Sequence, residues 1–247
     1  MSSVIDPLLS SPSAALWPFL PPHLVRTFAL AYLSNVLVFF SGCKRYQKPV
    51  QRMWFLSVYA SGAMTVCALP FFVDWLSNGC SMAAIKPRTA LAETACVSFM
   101  AHLFADLSLG LIFYRDHLPL GWKWIHHSIF ICLLSYTLSH GLSHFFTLGG
   151  MMELPIYVLF LGFLEPQLKS DYLNIGVLVT FRIVFNAILA AQFWLPSVQM
   201  LWVHTAPWWV CGALNTAIIP GHIWIMHRIV GRFLRERGEK RTARLAE

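Results

Sequence analysis

Charged residues are scarce in this sequence. Asp, Glu, Lys and Arg make up only 12% of its 247 residues, whereas soluble domains carry about 25%. Hydrophobic residues make up 57%, and the mean hydropathy is +0.60. These values argue against a soluble domain, so lipid is the expected solvent for most of the chain.

Several familiar sequence signals are also missing. The six cysteines form no CxxC pair, and no HExxH spacing occurs, so we expect no metal site and no resident cofactor. The first 23 residues hold Asp6 and five prolines but no Lys or Arg. A cleavable signal peptide needs a basic start, so we expect the first helix to stay in the protein.

Long apolar stretches are abundant, and their lengths predict an all-α, polytopic transmembrane bundle of about seven helices, within a range of six to eight. A span needs about 20 mostly apolar residues. The predicted spans are residues 24–42, 53–75, 91–114, 124–139, 142–164, 172–194 and 207–230. Almost nothing separates the fourth from the fifth, which predicts a tight helical hairpin or a bent pair.

The net charge of +7 comes from Lys and Arg gathered between the apolar runs and after the last one. With seven spans, the basic segments all fall on one side of the membrane: Lys44, Arg45, Lys48 and Arg52, then Arg115 with Lys123, then Lys169, then the tail from Arg232 to Arg244. The positive-inside rule therefore predicts a cytosolic C-terminus. The charge is interpreted as an orientation signal, so no nucleic-acid partner is expected.

The chain divides by composition into four parts. Residues 1–23 form a Pro-rich head outside the membrane, and residues 24–90 hold the first two spans with their loops. Residues 91–233 form a helical core whose spans contain polar residues. Residues 234–247 form a charged cytosolic tail, a candidate for disorder whose mixed charge suggests a solvated stub.

Polar side chains inside the spans are the candidate functional residues. An ionisable group in a span costs on the order of 2.5 to 3.5 kcal/mol, so each marks a site hypothesis. They are His102 and Asp106 in the third span, His126 and His127 at the start of the fourth, Glu153 in the fifth, Arg182 and Asn186 in the sixth, and Asn215 and His222 in the seventh. His102 and Asp106 are one helical turn apart, on one face.

Two of these residues are predicted to meet. Glu153 and Arg182 each lie about ten residues from the basic ends of their spans, so both are expected near mid-membrane. Their opposite charges predict an ion pair.

From residue 91 to residue 233 the chain resembles the TLC (TRAM, LAG1, CLN8 homology) domain family. The resemblance rests on HLFADLSLGLIFYRD (102–116), WKWIHHSIFICLLSY (122–136), MMELPIYVLFLG (151–162) and FRIVFNAIL (181–189). It implies a bundle of six to eight helices in the endoplasmic reticulum. Within the family, ceramide synthases join a fatty acyl group from acyl-CoA to the amine of a sphingoid base.

The chain departs from ceramide synthases on the helix after the paired histidines. Those enzymes carry a His-Asp and a further Asp there, whereas this sequence reads FFTLGGMMELP, with Glu153 as its one ionisable residue. The resemblance is closer to TLC-domain-containing proteins that carry a Glu followed by small residues and Pro.

The resemblance implies a role in lipid metabolism, as an acyl-CoA-dependent acyltransferase acting on a long-chain amine or alcohol. The expected catalytic residues are His126, His127 and Asp106. A histidine would act as base or nucleophile, and Asp106 would set its tautomer. Acyl-CoA and a sphingoid-type lipid are the expected partners, with Arg115 and Lys123 near the CoA phosphates. The expected substrate-binding residues are His102, Glu153, Arg182, Asn186, Asn215 and His222.

Other interpretations stay open. The chain could be a non-catalytic lipid-binding regulator or trafficking factor, or a small membrane-embedded terpene cyclase that uses Asp106 and Glu153 as acids. The paired histidines could merely anchor a helix end, and His102 with Asp106 could form a structural hydrogen bond.

Overall fold

The computed structural model describes residues 20–117, 123–199, 207 and 209–246. No strand occurs in these ranges, so the predicted all-α class is confirmed. The α-helices are α1 (Pro22–Gly42), α2 (Pro49–Ser77), α3 (Thr89–Phe113), α4 (Ile125–Ser139), α5 (Ser143–Gly149), α6 (Leu154–Leu164), α7 (Asp171–Val177), α8 (Asn186–Phe193), α9 (Pro196–Gln199) and α10 (Trp209–Ala246).

Two of the spans are built from several helical pieces. A 3-10 turn, Gly150–Glu153, joins α5 to α6, and a π-helical segment, Leu178–Phe185, joins α7 to α8. Both irregular segments lie near the middle of their spans. Such segments mark functional sites in many helices, because they disturb the regular backbone hydrogen bonds.

Six helical stretches in the described ranges are long and apolar enough to cross a membrane, which makes the chain a multi-pass membrane protein. They are Pro22–Gly42, Pro49–Ser77, Thr89–Phe113, Ser143–Leu164, Asp171–Phe193 and Trp209–Arg235. The fourth predicted span corresponds to α4, which has only 15 residues. At 1.5 Å per residue it is about 22 Å long, shorter than the hydrocarbon core of about 30 Å.

Contacts between helices show that the chain runs up and down the bundle. Tyr32 of α1 bonds Ser108 of α3 at 2.8 Å, and Phe39 packs on Phe113 further along both helices, so α1 and α3 run parallel. Trp54 packs on Phe163 and Ser61 bonds Glu153, so α2 and α6 are antiparallel. The predicted hairpin between the fourth and fifth spans is present, and Gly141 supplies the positive φ of 68° in its turn.

One buried hydrophobic cluster joins α2, α5 and the sixth span. Trp75 meets Phe185 edge to face at a centroid distance of 5.2 Å, and Phe72 contacts the same ring at 5.5 Å. Small residues let α2 approach α6 closely on the other side. A Cβ on Gly62 would lie 3.1 Å from the Tyr157 ring. Such small residues favour helix association in lipid, where apolar burial adds little.

Basic residues concentrate at one end of the bundle, which we call the basic end. It carries the connections from α1 to α2, α3 to α4 and α6 to α7, together with the last turns of α10. Arg45 pairs with Glu165 there, and the Tyr46 hydroxyl donates to the same carboxylate at 2.9 Å. Hydrogen bonds from Gln167 and Tyr46, with help from Arg45, lower the pKa of Glu165.

The two chain ends differ in how they compare with prediction. Residues 1–19 of the predicted head lie outside the described residues, and α1 begins at Pro22, two residues before the predicted span. The segment expected as a solvated stub, residues 234–247, is helical to Ala246 as the last part of α10. A run of Arg, Glu, Lys and Ala favours helix, which the charge argument overlooked.

Candidate functional site

Polar side chains inside the bundle gather in two groups. The Asp106 cluster comprises Asp106, His127, Lys123 and Tyr114, on α3, α4 and the chain between them. The Arg182 cluster comprises Arg182, Glu153, His222 and Ser61, on four spans. Each group contains residues that the sequence singled out and residues that it did not.

Antiparallel packing of α3 and α4 builds the Asp106 cluster. Asp106 lies seven residues before the end of α3, and His127 lies in the first turn of α4. His127 Nε2 is 2.8 Å from Asp106 Oδ2, and both side chains are buried. The structure therefore brings together two of the three residues predicted to be catalytic.

This contact defines the tautomer of His127. The Asp106 carboxylate, ion-paired with Lys123, can only accept, so Nε2 carries the hydrogen and donates it. In the neutral ring Nδ1 then keeps its lone pair. Nδ1 is buried and has no hydrogen-bond partner among the described residues. A basic nitrogen that is oriented but unpaired is what a general base requires.

Asp106 has two further partners. The Tyr114 hydroxyl donates to Oδ1 at 2.5 Å, and Lys123 Nζ lies 2.6 Å from Oδ2. The amine lacks the angle of a good hydrogen bond, so its interaction is mainly an ion pair. Lys123 was expected near the CoA phosphates, and that role stays a prediction. In the structure its side chain is 16% exposed and its amine lies against Asp106.

His102 lies one turn from Asp106 but has a partner of its own. Its Nδ1 is 2.9 Å from Oδ1 of Asn35, whose amide nitrogen donates to the Ala31 carbonyl at 2.7 Å. Because that amide oxygen accepts, Nδ1 of His102 is the donor. Both residues are buried, and the bond links α1 to α3. Its geometry is that of an interhelical structural hydrogen bond.

The Arg182 cluster contains the predicted ion pair. Arg182 Nη2 lies 3.4 Å from Glu153 Oε1, and Ser61 donates to the other carboxylate oxygen at 2.9 Å. Arg182 Nε donates to the Met152 carbonyl at 3.0 Å. Glu153 and Met152 belong to the 3-10 turn, and Arg182 belongs to the π-helical segment. The irregular backbones thus meet at the charged pair.

His222 completes this cluster from α10. Its Nδ1 is 2.9 Å from the Arg182 carbonyl oxygen, which can only accept, so Nδ1 carries the hydrogen. Nε2 then accepts from Arg182 Nη1 at 3.2 Å. Asn186 Nδ2 lies 3.5 Å from Nδ1, but that contact joins two donors and adds little. His222 therefore bridges the backbone and the side chain of one arginine.

His126 lies between the two clusters. Its ring is 5.7 Å from the His127 ring and 4.5 Å from Phe130, measured between centroids. It also lies within electrostatic range of Lys123 in the Asp106 cluster and of Arg182 in the Arg182 cluster.

Two predicted substrate-binding residues are only loosely tied to these clusters. Asn215 donates to the Cys211 carbonyl of its own helix at 3.0 Å. Asn186 is fully buried, and its Oδ1 has no partner among the described residues. Their proposed roles stay predictions.

Sequence reasoning missed several neutral partners. Tyr114, Ser61 and Asn35 each bond a predicted residue across helices. Only helical spacing could have indicated them, and many other hydroxyls and amides share that spacing.

The described ranges hold no group of three or more His, Cys, Asp or Glu residues that could bind a metal ion. His140 and His144 are four residues apart but flank the turn between α4 and α5. Comparison of the chain with protein-family models, curated proteins and solved structures finds no match.

Proposed function

We propose that this chain is a TLC-like membrane protein of lipid metabolism that transfers an acyl group from acyl-CoA to a long-chain amine or alcohol. The observation that carries the proposal is the buried pair of Asp106 and His127, with the lone pair of His127 Nδ1 unengaged. The resemblance of residues 91–233 to the TLC family supplies the reaction class.

In this reaction His127 acts as general base. Its Nδ1 takes a proton from the acceptor amine or alcohol as that nitrogen or oxygen attacks the thioester carbonyl carbon. The carbon–sulfur bond then breaks, and the imidazolium returns the proton to the departing CoA thiolate. Asp106 stabilises the imidazolium meanwhile and keeps the ring oriented.

The distribution of charge supports an orientation for the substrates. The basic end carries Arg45, Arg115 and the arginines of α10, and the positive-inside rule assigns such an end to the cytosol. His127 lies toward this end of the bundle. Acyl-CoA is made soluble by its charged nucleotide part, so it would approach from the cytosolic face of the endoplasmic reticulum.

The test is a lipid comparison in cells. Total lipids are measured by mass spectrometry in cells that express the wild type, His127→Ala, or a His126→Ala and His127→Ala double variant at matched levels. We expect an amide or ester lipid that rises with the wild type and with neither variant. Unchanged lipids in wild-type cells would contradict the proposal.

One observation favours a non-catalytic alternative, a lipid-binding regulator or trafficking factor. Lys123, Tyr114 and His127 together bond both oxygens of Asp106, as in a structural hub. Such a protein would keep its cellular function in a folded His127→Ala variant. The terpene cyclase is less favoured, because a cyclase acid must be protonated and both candidate acids lie beside cations.

A further inference from the structure

A cleft of basic residues lies on α10, near the basic end of the bundle. It encloses about 290 Å³ and is lined by His227, Arg228, Gly231, Arg232 and Arg235. One water molecule needs only about 10 to 15 Å³, so the cleft has room for a phosphate group with part of its headgroup. All five lining residues belong to one helix, which leaves the cleft open on its outer side.

The cleft faces away from the other helices. α10 packs mainly against the sixth span. His222 bonds the π-helical segment of that span, and the Phe233 ring lies 5.3 Å from the Tyr172 ring. His222 and Phe233 are close to three turns apart, so they share one face of α10. Gly231 and Arg235 each lie about 160° around the helix from Phe233, which turns them toward lipid.

The arginines of the cleft lie at the boundary of the membrane. Phe233 is level with Tyr172, the second residue of α7, so it is level with the start of that span at the basic end. At 1.5 Å per residue, Arg228 lies about 7.5 Å deeper than Phe233, and Arg235 lies about 3 Å further out. We therefore place the cleft at the level of the lipid headgroups.

The positive charge of the cleft is not balanced by the protein. Arg228, Arg232 and Arg235 are exposed, and none forms an ion pair among the side chains that the structure describes. Arg228 covers the Trp224 ring at 4.9 Å, which orients its guanidinium. A cation that faces lipid is costly, so these residues favour an anionic occupant. Guanidinium groups bind phosphate through paired N–H donors.

We propose that this cleft binds the phosphate of an anionic phospholipid in the leaflet at the basic end. Arg232 and Arg235 contact the phosphate from the headgroup side, and Arg228 contacts it from the hydrocarbon side. Gly231 leaves space between them, because a Cβ there would meet no atom within 4 Å. The acyl chains stay in the bilayer beside Trp224. Since the lipid never enters the bundle, the proposal goes beyond acyl transfer and does not depend on it.

The test measures binding of short-chain lipids to the purified full chain in detergent. We expect dioctanoyl phosphatidic acid to bind about tenfold or more tightly than dioctanoyl phosphatidylcholine, whose ammonium offsets the phosphate charge. Arg232→Gln should weaken binding of phosphatidic acid about fivefold, the effect of one cation at a membrane surface. Gly231→Leu should also weaken it, since the new side chain fills the cleft while the charge stays the same.

Two matched variants show whether these effects belong to the cleft. Arg26→Gln removes the same charge at the opposite end of the bundle. Gly176→Leu makes the same glycine change on α7, where a Cβ also meets nothing within 4 Å. Both variants should keep the affinity of the wild type. Equal losses in Arg26→Gln and Arg232→Gln would mean that net charge alone attracts the lipid. That result, or equal binding of both lipids by the wild type, overturns the proposal.

Free CoA separates a lipid from a soluble ligand that carries the same phosphate chemistry. CoA has no acyl chain to hold it in the micelle, so at equal concentration it should not displace phosphatidic acid. Displacement by CoA that is lost in Arg232→Gln would assign the cleft to the acyl donor and overturn the proposal. His127→Ala should bind phosphatidic acid as the wild type does, whether or not the chain proves to be an acyltransferase.

Discussion

At the scale of single residues, Asp106 connects three other side chains within one small volume. His127 and Lys123 contact one carboxylate oxygen, and Tyr114 bonds the other. The Lys123 amine is also buried, so the Lys123 ammonium and the Asp106 carboxylate each serve as the counter-ion of the other. A substitution at Asp106 therefore changes both the chemistry of His127 and the solvation of Lys123.

These two effects can be separated by a pair of variants. Asp106→Asn should destabilise the fold by about 3 to 5 kcal/mol, because it leaves the Lys123 ammonium without its counter-ion. Adding Lys123→Met should restore the thermal unfolding midpoint. The double variant should still lose acyl transfer by a factor on the order of 10² to 10⁴, since a neutral amide does not stabilise the imidazolium and its NH2 group can donate to Nε2, which favours the wrong tautomer. Full activity in the stable double variant would show that Asp106 is structural.

The ion pair of Arg182 and Glu153 permits a charge exchange. We expect Glu153→Arg and Arg182→Glu each to abolish recovery of folded protein, because each places two like charges in the bundle. The combined exchange should restore recovery at least in part, measured by fluorescence-detected size exclusion. If the double exchange recovers no more protein than the single variants, the pairing contributes little.

Charged residues within spans were the part of the site that the sequence predicted. Asp106, His127, Glu153 and Arg182 are costly in lipid, so each had to have a partner, and the structure supplies one. The contact between Lys123 and Asp106 was not predicted, because a lysine beside a span ordinarily reaches the interface. The two side chains lie 2.6 Å apart in the structure.

At the scale of helices, two irregular segments form the centre of the Arg182 cluster. The 3-10 turn contributes Glu153 and the Met152 carbonyl, and the π-helical segment contributes Arg182 with its own carbonyl. The sequence predicted continuous spans here. Hydrophobic length alone cannot reveal such segments, although Gly149, Gly150 and Pro155 mark the first one.

Close contact between α2 and the 3-10 turn yields a prediction about Gly150. A Cβ at this position would lie 2.8 Å from Met64 Cε and 3.3 Å from the Met64 carbonyl oxygen. Gly150→Leu should therefore lower stability by about 1 to 3 kcal/mol through overpacking. Thermal unfolding in detergent measures the change.

Gly176 provides the matched control for this substitution. A Cβ there meets nothing within 4 Å, and the residue is exposed on α7. Gly176→Leu should leave the unfolding midpoint unchanged or raise it slightly, since leucine favours helix more than glycine. Equal effects of the two substitutions would mean that α2 does not pack closely on this turn.

At the scale of the whole molecule, charge is distributed unevenly between the two ends of the bundle. Lys and Arg at the basic end outnumber Arg26, Lys86 and Arg88 at the opposite end. The sequence could predict this arrangement because loop composition and span number suffice for it. The sequence alone did not predict that α10 continues as one helix to Ala246, since a charged segment is compatible with both helix and coil.

This asymmetry predicts the sidedness of the connections in cells. A glycosylation acceptor inserted between residues 79 and 88 should be modified, because that connection lies opposite the basic end and should face the lumen. The same acceptor placed between residues 44 and 48, or after residue 247, should stay unmodified. A shift in gel mobility reports each result, and the reverse pattern would invert the proposed orientation.

The shortness of α4 has a consequence for the lipid around it. At about 22 Å, this helix falls several Å short of the hydrocarbon core, and it exposes Ile125 and Ile129 on its outer side. Bilayers relieve such hydrophobic mismatch by becoming locally thinner. We expect the leaflet at the basic end to become thinner beside α4. This thinning would bring the polar surface of the leaflet closer to His127. An amphiphile could then reach the interior sideways from the leaflet, with its headgroup still hydrated.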